Sequence, residues 1–221
     1  MTWDTVAIVS GGMDSATMVY HLLDQGREMK CLSFDYGQRH KRELLAAEQL
    51  CLGKGLAWEK VDLTSLTSLL AGSALTSPEI VVPEGHYEEE SMKATVVPNR
   101  NMIMLSVAIG HAISIGANTV AYGAHSGDHA IYPDCRESFA TVMDLAAQLC
   151  DWEEIRLLRP FIGIDKGGIA SLGEELGVPW DLTWTCYKGG DRHCGKCGSC
   201  QERIEAFAKA GVVDPMTKGV A

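Results

Sequence analysis

The sequence predicts an α/β fold, a parallel sheet with helices on both faces, and three observations carry that expectation. Apolar runs at residues 5–9, 28–34 and 57–62 read as strands; residues 16–23, with apolar side chains at helical spacing, and residues 40–52, of helical composition, alternate with them. That β-α-β-α-β order is the pattern of a parallel sheet with right-handed crossovers. Polar residues gather where the first two runs end, the rim on which such sheets bind ligands.

The first run passes directly into Ser10-Gly11-Gly12-Met13-Asp14-Ser15. Two adjacent glycines allow a sharp turn and leave backbone N–H groups uncovered, while the following helix aims its unpaired N–H groups and positive dipole end at the same place. This is an anion cradle, with a plain turn capped by Ser10, Asp14 or Ser15 as the alternative. After the second run, Asp35, Tyr36, Arg39 and His40 fall on the same rim, either as ligand contacts or as cap and first-turn residues.

Residues 71–94 lose periodicity and carry Pro78, Pro83 and the acidic run Glu88-Glu89-Glu90, so they read as a loop, either a lid or a solvated excursion. A buried helix is expected at 102–115. Arg100 and Asn101 precede it, and a cation at a helix start is disfavoured unless an anionic ligand or an ion pair accounts for it. A strand at 119–122 leads into the chemically dense stretch 123–139, where His125, Asp128 and His129 are metal candidates with irregular spacing. An amphipathic helix at 139–149 should bury Phe139, Val142, Met143 and Ala146. A strand at 154–159 and a helix at 168–176 follow; Asp165 is the expected N-cap, and Lys166 beside it is either solvated or a phosphate ligand.

Composition bounds the function. The 221 residues, 46% hydrophobic and 22% charged, suit one soluble α/β domain with a small appendage. The domain is expected over 1–180, with a metal-binding region over 181–221. The start of the chain has no basic flank before its apolar run, and the longest apolar stretch is shorter than a bilayer needs, so a cytoplasmic protein without a membrane partner is expected. With 19 basic against 29 acidic residues the net charge is −10, which argues against nucleic acid as a partner.

Four of the eight cysteines crowd into the spacing Cys186-x7-Cys194-x2-Cys197-x2-Cys200. Thiolates two residues apart share one ion, and four soft ligands without a carboxylate fit a closed structural Zn²⁺. An iron–sulfur cluster is the rival, but no fourth cysteine follows at the ferredoxin spacing. Residues 190–196 mimic a P-loop without its closing hydroxyl or a preceding strand. Cys31, Cys51 and Cys150 read as small buried hydrophobes, and Cys135 as a thiol to test for reactivity.

Together, Ser10–Ser15, Asp35-Tyr-Gly-Gln-Arg-His40, Val97-Pro-Asn-Arg-Asn101, Tyr132-Pro-Asp-Cys-Arg136, Asp165-Lys166 and Thr185-Cys-Tyr187 before the cysteine tail make the chain resemble the 7-cyano-7-deazaguanine synthase family of the PP-loop ATP-pyrophosphatase superfamily. The resemblance implies an adenine-nucleotide hydrolase-like, Rossmann-like fold. It also implies an ATP-dependent carbon–nitrogen ligase of queuosine and 7-deazapurine biosynthesis, converting 7-carboxy-7-deazaguanine and ammonia to the nitrile through adenylated intermediates. By resemblance, Ser10, Gly11, Gly12, Asp14 and Ser15, flanked by Ile8, Val9 and Met13, hold the pyrophosphate of ATP. Lys166, with Arg39 or Arg100, neutralises it together with Mg²⁺. Asp14, Ser15, Lys166 and Arg100 are thus the expected catalytic groups. Cys186, Cys194, Cys197 and Cys200 match the family's zinc ligands, and a homodimer is a further expectation. Tyr132, Asp134, Arg136 and Phe139 are the candidates for the deazaguanine pocket, chosen for ring stacking, a carboxylate and a cation. Two other readings compete: a tRNA thiolase of the same superfamily, and a non-enzymatic, zinc-stabilised nucleotide-binding protein.

Overall fold

The structure, a computed structural model, describes residues 2–87 and 89–216, without the side chains of residues 129 and 130. Five strands, β1 (Thr5–Ile8), β2 (Met29–Asp35), β3 (Ala57–Asp62), β4 (Thr119–Ala121) and β5 (Arg156–Leu158), form one sheet in the order β3-β2-β1-β4-β5. Every pairing is parallel, with Thr5 opposite Met29 on one side and Thr119 on the other. The chain therefore leaves β1 in one direction and returns beside it from the other, and the crevice at the C-terminal ends of β1 and β4 is the switch point where such sheets bind ligands.

Alternation along the strands assigns each face its core. On one face Val6, Leu32, Val120 and Leu157 pack with α3 (Arg100–Ile115) and α4 (Glu137–Ala147). On the other, Ala7, Val9, Cys31 and Ala121 pack with α1 (Met13–Asp24), α2 (Arg42–Gly53), α5 (Lys166–Glu175) and α6 (Gly198–Ala210). The expected two-faced architecture is present, and β3 has the expected bounds.

Some local expectations change. The helix α6 was not anticipated; it starts at the cysteine tail and returns Ala206 and Phe207 to the second core. The buried face of α4 is Ala140, Met143 and Ala147, so Val142 and Ala146 face outward, and Cys150 is exposed rather than buried. Residues 71–94 are no solvated excursion: Ala74, Leu75, Val82, Tyr87 and Met92 are buried. They form a strap fastened to the cysteine loop by a bridge between Glu84 and Cys197 and by Gly85 N–H donating to the Lys196 carbonyl at 3.1 Å. No described helix is long and apolar enough to cross a membrane.

Candidate active site

The glycine turn sits at the switch point, and its neighbours fix its shape. Gly11 has φ +88°, and a Cβ there would lie 2.0 Å from the Glu43 carbonyl oxygen, so only glycine lets the turn seat on α2. Gly12 is the N-cap of α1, with no side chain capping the helix. The Ser15 hydroxyl donates to the Gly12 carbonyl and accepts from Gly11 N–H, both at 3.1 Å, and lies 3.1 Å from the Ser10 hydroxyl. The serines thus brace the turn and leave the helix end open, which selects the anion cradle over the capped turn.

Facing this turn is a pocket of about 210 Å³. Ile8, Val9, Ser10, Gly12, Met13, Asp14, Ser15, Arg100, Tyr132 and Lys166 all line it, and Gly11 supports from behind. Lys166 opens α5 and is buried, its ammonium 2.5 Å from Glu202 Oε2 and 3.4 Å from Asp14 Oδ2. Burial alone would lower its affinity for a proton, but Asp14, Glu202 and Asp128 outweigh that and hold it firmly charged. Arg100 opens α3, donates to the Tyr36 hydroxyl at 3.3 Å, and makes no ion pair among the described residues. The ion-pair explanation for a cation at that helix start therefore has no direct contact behind it among the described residues; the guanidinium instead lies 5.7 Å from the Tyr36 ring centre.

Several expected contacts lie elsewhere. The Arg39 guanidinium donates to the carbonyls of Ser77, Pro78 and Ile80 at 2.7–3.1 Å, so it pins the strap rather than a phosphate. Asp134 accepts from Asn101 N–H at 3.0 Å and finishes the N-terminus of α3. Arg136 is exposed at the N-cap of α4, and Phe139 packs against the first core. None of these four lines the pocket. The walls are instead aromatic, from Phe34, Tyr36, Tyr87, Tyr122, Tyr187 and Trp184 besides Tyr132. The Tyr132 hydroxyl pairs with Thr95 at 2.7 Å and Tyr187 at 3.3 Å. Glu43 also lines the pocket, where burial pushes its carboxyl up to about 7 against the pull of Arg100 and Gln38. Cys135 is buried, and burial pushes its thiol up, which opposes thiolate formation.

The metal candidates in the dense stretch resolve differently from their spacing. His125, Asp128 and Glu202 offer ligand atoms within 4.8 Å of one another, while the side chain of His129 lies outside the described residues. His125 Nδ1 accepts from Gly127 N–H at 3.1 Å, while its Nε2 is buried 3.5 Å from Asp128 and 3.8 Å from Asp14 with no hydrogen-bond partner among the described residues. Burial pushes Asp128 up, but His125, Lys166 and the Tyr87 hydroxyl, 2.8 Å away, hold it below its ordinary value. Burial raises Glu202 despite Lys166. Asp14 Oδ1 is buried with no hydrogen-bond partner among the described residues. A hard divalent cation fits that oxygen and the clustered carboxylates.

The four tail cysteines bring their sulfurs within 4.8 Å of one another. Cys194 and Cys200 are 3.9 Å apart, close to the ~3.8 Å edge of a tetrahedron with Zn–S bonds of about 2.3 Å. Backbone N–H groups of Cys194, Lys196 and Cys197 point at sulfur at 3.3–3.4 Å, and Cys197 caps α6, whose dipole favours thiolate. The donor set fits one closed zinc ion.

The fold is shared with known synthetases. The NMN synthetase of Francisella tularensis superposes with a TM-score of 0.50 at 13% identity, covering 96% of this chain and 74% of that one. The NH3-dependent NAD synthetase of Campylobacter jejuni, solved with nitrate, gives 0.51 at 17% identity, covering 82% and 67%. At those identities the likeness shows the fold alone, that of the NMN and NAD synthetases. The model of the queuosine biosynthesis protein QueC matches residues 4–211. The 7-cyano-7-deazaguanine synthase of Marinobacter nauticus is 51% identical over 216 residues, 98% of this chain and 97% of the relative. That of Methanoregula boonei is 53% identical over 211 residues, 96% and 97%. The chain belongs to the 7-cyano-7-deazaguanine synthase family, ATP-dependent ligases of queuosine biosynthesis. The thiolase and non-enzymatic readings are not favoured.

Proposed function

We propose that the chain converts 7-carboxy-7-deazaguanine and ammonia to 7-cyano-7-deazaguanine, consuming two ATP. The observation that carries this reading is the pairing of the anion cradle with two cations, the buried Lys166 and the half-buried Arg100, in one aromatic pocket.

A carboxylate is displaced by ammonia only after one of its oxygens becomes a leaving group. The N-terminus of α1 and Ser10, with Lys166 opposite, receive the pyrophosphate as the substrate carboxylate attacks the α-phosphorus; charge stabilisation there is the principal source of rate. Arg100 orients the carboxylate, and the phenol-rich wall stacks the deazaguanine ring. Ammonia then displaces AMP to give the amide. The amide oxygen attacks the α-phosphorus of a second ATP, releasing pyrophosphate, and loss of both amide protons to water with departure of AMP leaves the nitrile. Asp14, with Asp128 and Glu202 at hand, would hold Mg²⁺, which supplies further charge neutralisation on the phosphates. The cysteine quartet would hold structural zinc and thereby position Trp184, Thr185 and Tyr187 on the pocket wall. The protein works in the cytoplasm on small molecules alone, as a homodimer.

Mass spectrometry of the product formed from the carboxylate, ammonium and ATP tests this. Nitrile appearing only with all three reactants supports the proposal; ATP turnover without it, or product lacking the added nitrogen, overturns it.

A further inference from the structure

A second cavity of about 240 Å³ lies behind the first, and the two share Tyr87 and Lys166 in their linings. Its remaining walls come from α5, α6 and the turn after β4, among them Asp165, Glu202, Glu205 and Lys209. The dividing wall is held from both sides. Tyr87 donates to Asp128 at 2.8 Å, Lys166 donates to Glu202 at 2.5 Å, and the Lys166 ammonium sits 5.6 Å from the Tyr87 ring centre. Tyr87 reaches this place from the strap at 71–94, whose packing on the cysteine loop has no evident part in binding ATP.

We propose that this rear cavity admits the nitrogen nucleophile, as ammonia, to an adenylate enclosed in the front pocket. The inference rests on the proposed reaction, in which adenylation precedes nitrogen attack. By then the nucleotide and the bicyclic acid both occupy the front side of the Tyr87–Lys166 wall. Water must be kept from the acyl phosphate while a third reactant reaches it, and an opening on the far side of Lys166 meets both needs. Glu202 forms the floor of the rear cavity: its Oε2 is held by Lys166, while Oε1 faces Gly127 on the cavity side. Ammonia, its proton left to water outside, enters by the cavity mouth, passes between Tyr87 and Lys166 and attacks the acyl carbon; the C–O bond to AMP breaks with its pair leaving on AMP, and the proton released from nitrogen goes to water.

Glu205 lines the rear cavity and is half exposed, its carboxylate pairing with His86 at 3.3 Å, so it can be enlarged without disturbing either core. Glu205→Trp should raise the KM for ammonium at least tenfold while the KM values for ATP and for the carboxylate stay within twofold. Glu205→Ala, which removes the charge and widens the mouth, should leave the ammonium KM at or below that of the unmodified protein. An unchanged ammonium KM in Glu205→Trp, an equal rise for all three substrates, or an equal rise in Glu205→Ala would overturn the route. Nitrile formation by the unmodified protein in the same assay reports separately on the reaction itself.

Discussion

Replacing Lys166 with Met keeps most of the side-chain volume and removes the ammonium that ties three elements together. Its nitrogen lies 2.5 Å from Glu202 and 3.4 Å from Asp14. At an effective dielectric of about 20, those separations correspond to about 7 and 5 kcal/mol. Desolvating the ammonium offsets much of that sum, and the expected net loss of stability at pH 7.5 is about 3–5 kcal/mol, because the carboxylates remain buried without their cation. The sign of the pH dependence follows. Burial already raises the Glu202 carboxyl, and removing Lys166, which opposes that rise, raises it further. A carboxyl raised in the folded state favours folding at low pH and loses that advantage as pH rises through the folded value, so the deficit should shrink when pH falls from 8 to 6. Urea unfolding across that range measures it. In the active site, loss of a fixed cation facing the departing pyrophosphate should lower kcat about 10²–10³-fold. A variant within tenfold of full activity, or one whose deficit grows as pH falls, would refute the reasoning.

Arg100→Met should raise the KM for the carboxylate substrate about tenfold or more while changing the KM for ATP little, since its guanidinium awaits an anion rather than a protein carboxylate; equal changes in both would count against the assignment. Glu43→Gln should remove a pH-dependent loss of stability: the carboxyl, raised to about 7 by burial, favours folding below its unfolded value near 4.5 and loses that contribution as pH rises through 7. The effect is on the order of 2 kcal/mol after allowing for partial exposure, read as a flatter stability profile between pH 5 and 8. Arg203→Met should cost about 3–5 kcal/mol, because its buried guanidinium binds Asp214 at 2.7 and 2.9 Å and also bonds Thr183, Thr185 and the Trp180 carbonyl; denaturant midpoints would show it. Cys197→Ser should abolish binding of one zinc per chain, measured by elemental analysis, and reduce helical signal by loosening α6. Full zinc content in that variant would remove the cysteine from the ligand set.

The parts of this molecule that were legible in the sequence are those whose meaning is local. Strand runs, the Ser10–Ser15 turn and the cysteine quartet each carry their chemistry within a few residues, so order and spacing suffice. The substrate wall is different. Asp134, Arg136 and Phe139 lie in the dense stretch beside Tyr132, yet one finishes the N-terminus of α3, one lies at the exposed start of α4 and one joins the core. Richness of residue type does not say which way a short turn points its side chains. Arg39 was misread for a related reason: the strap it anchors has no periodicity of its own, because its conformation is set by packing on the cysteine loop. Tyr87 and Glu202 were missed because their neighbours in space, Asp128 and Lys166, are 41 and 36 residues away in sequence. A helix starting at Gly198, within the cysteine tail, is the available sign of Glu202, placing that residue in its first turns beside the site.

The route through two adenylates is open to a direct reading with isotope. Supplied with substrate bearing ¹⁸O in both carboxylate positions, the enzyme should release two AMP per nitrile, each carrying one labelled oxygen in its phosphate. Label appearing in ADP, in inorganic phosphate or in water would contradict adenylation at the Ser10–Ser15 turn.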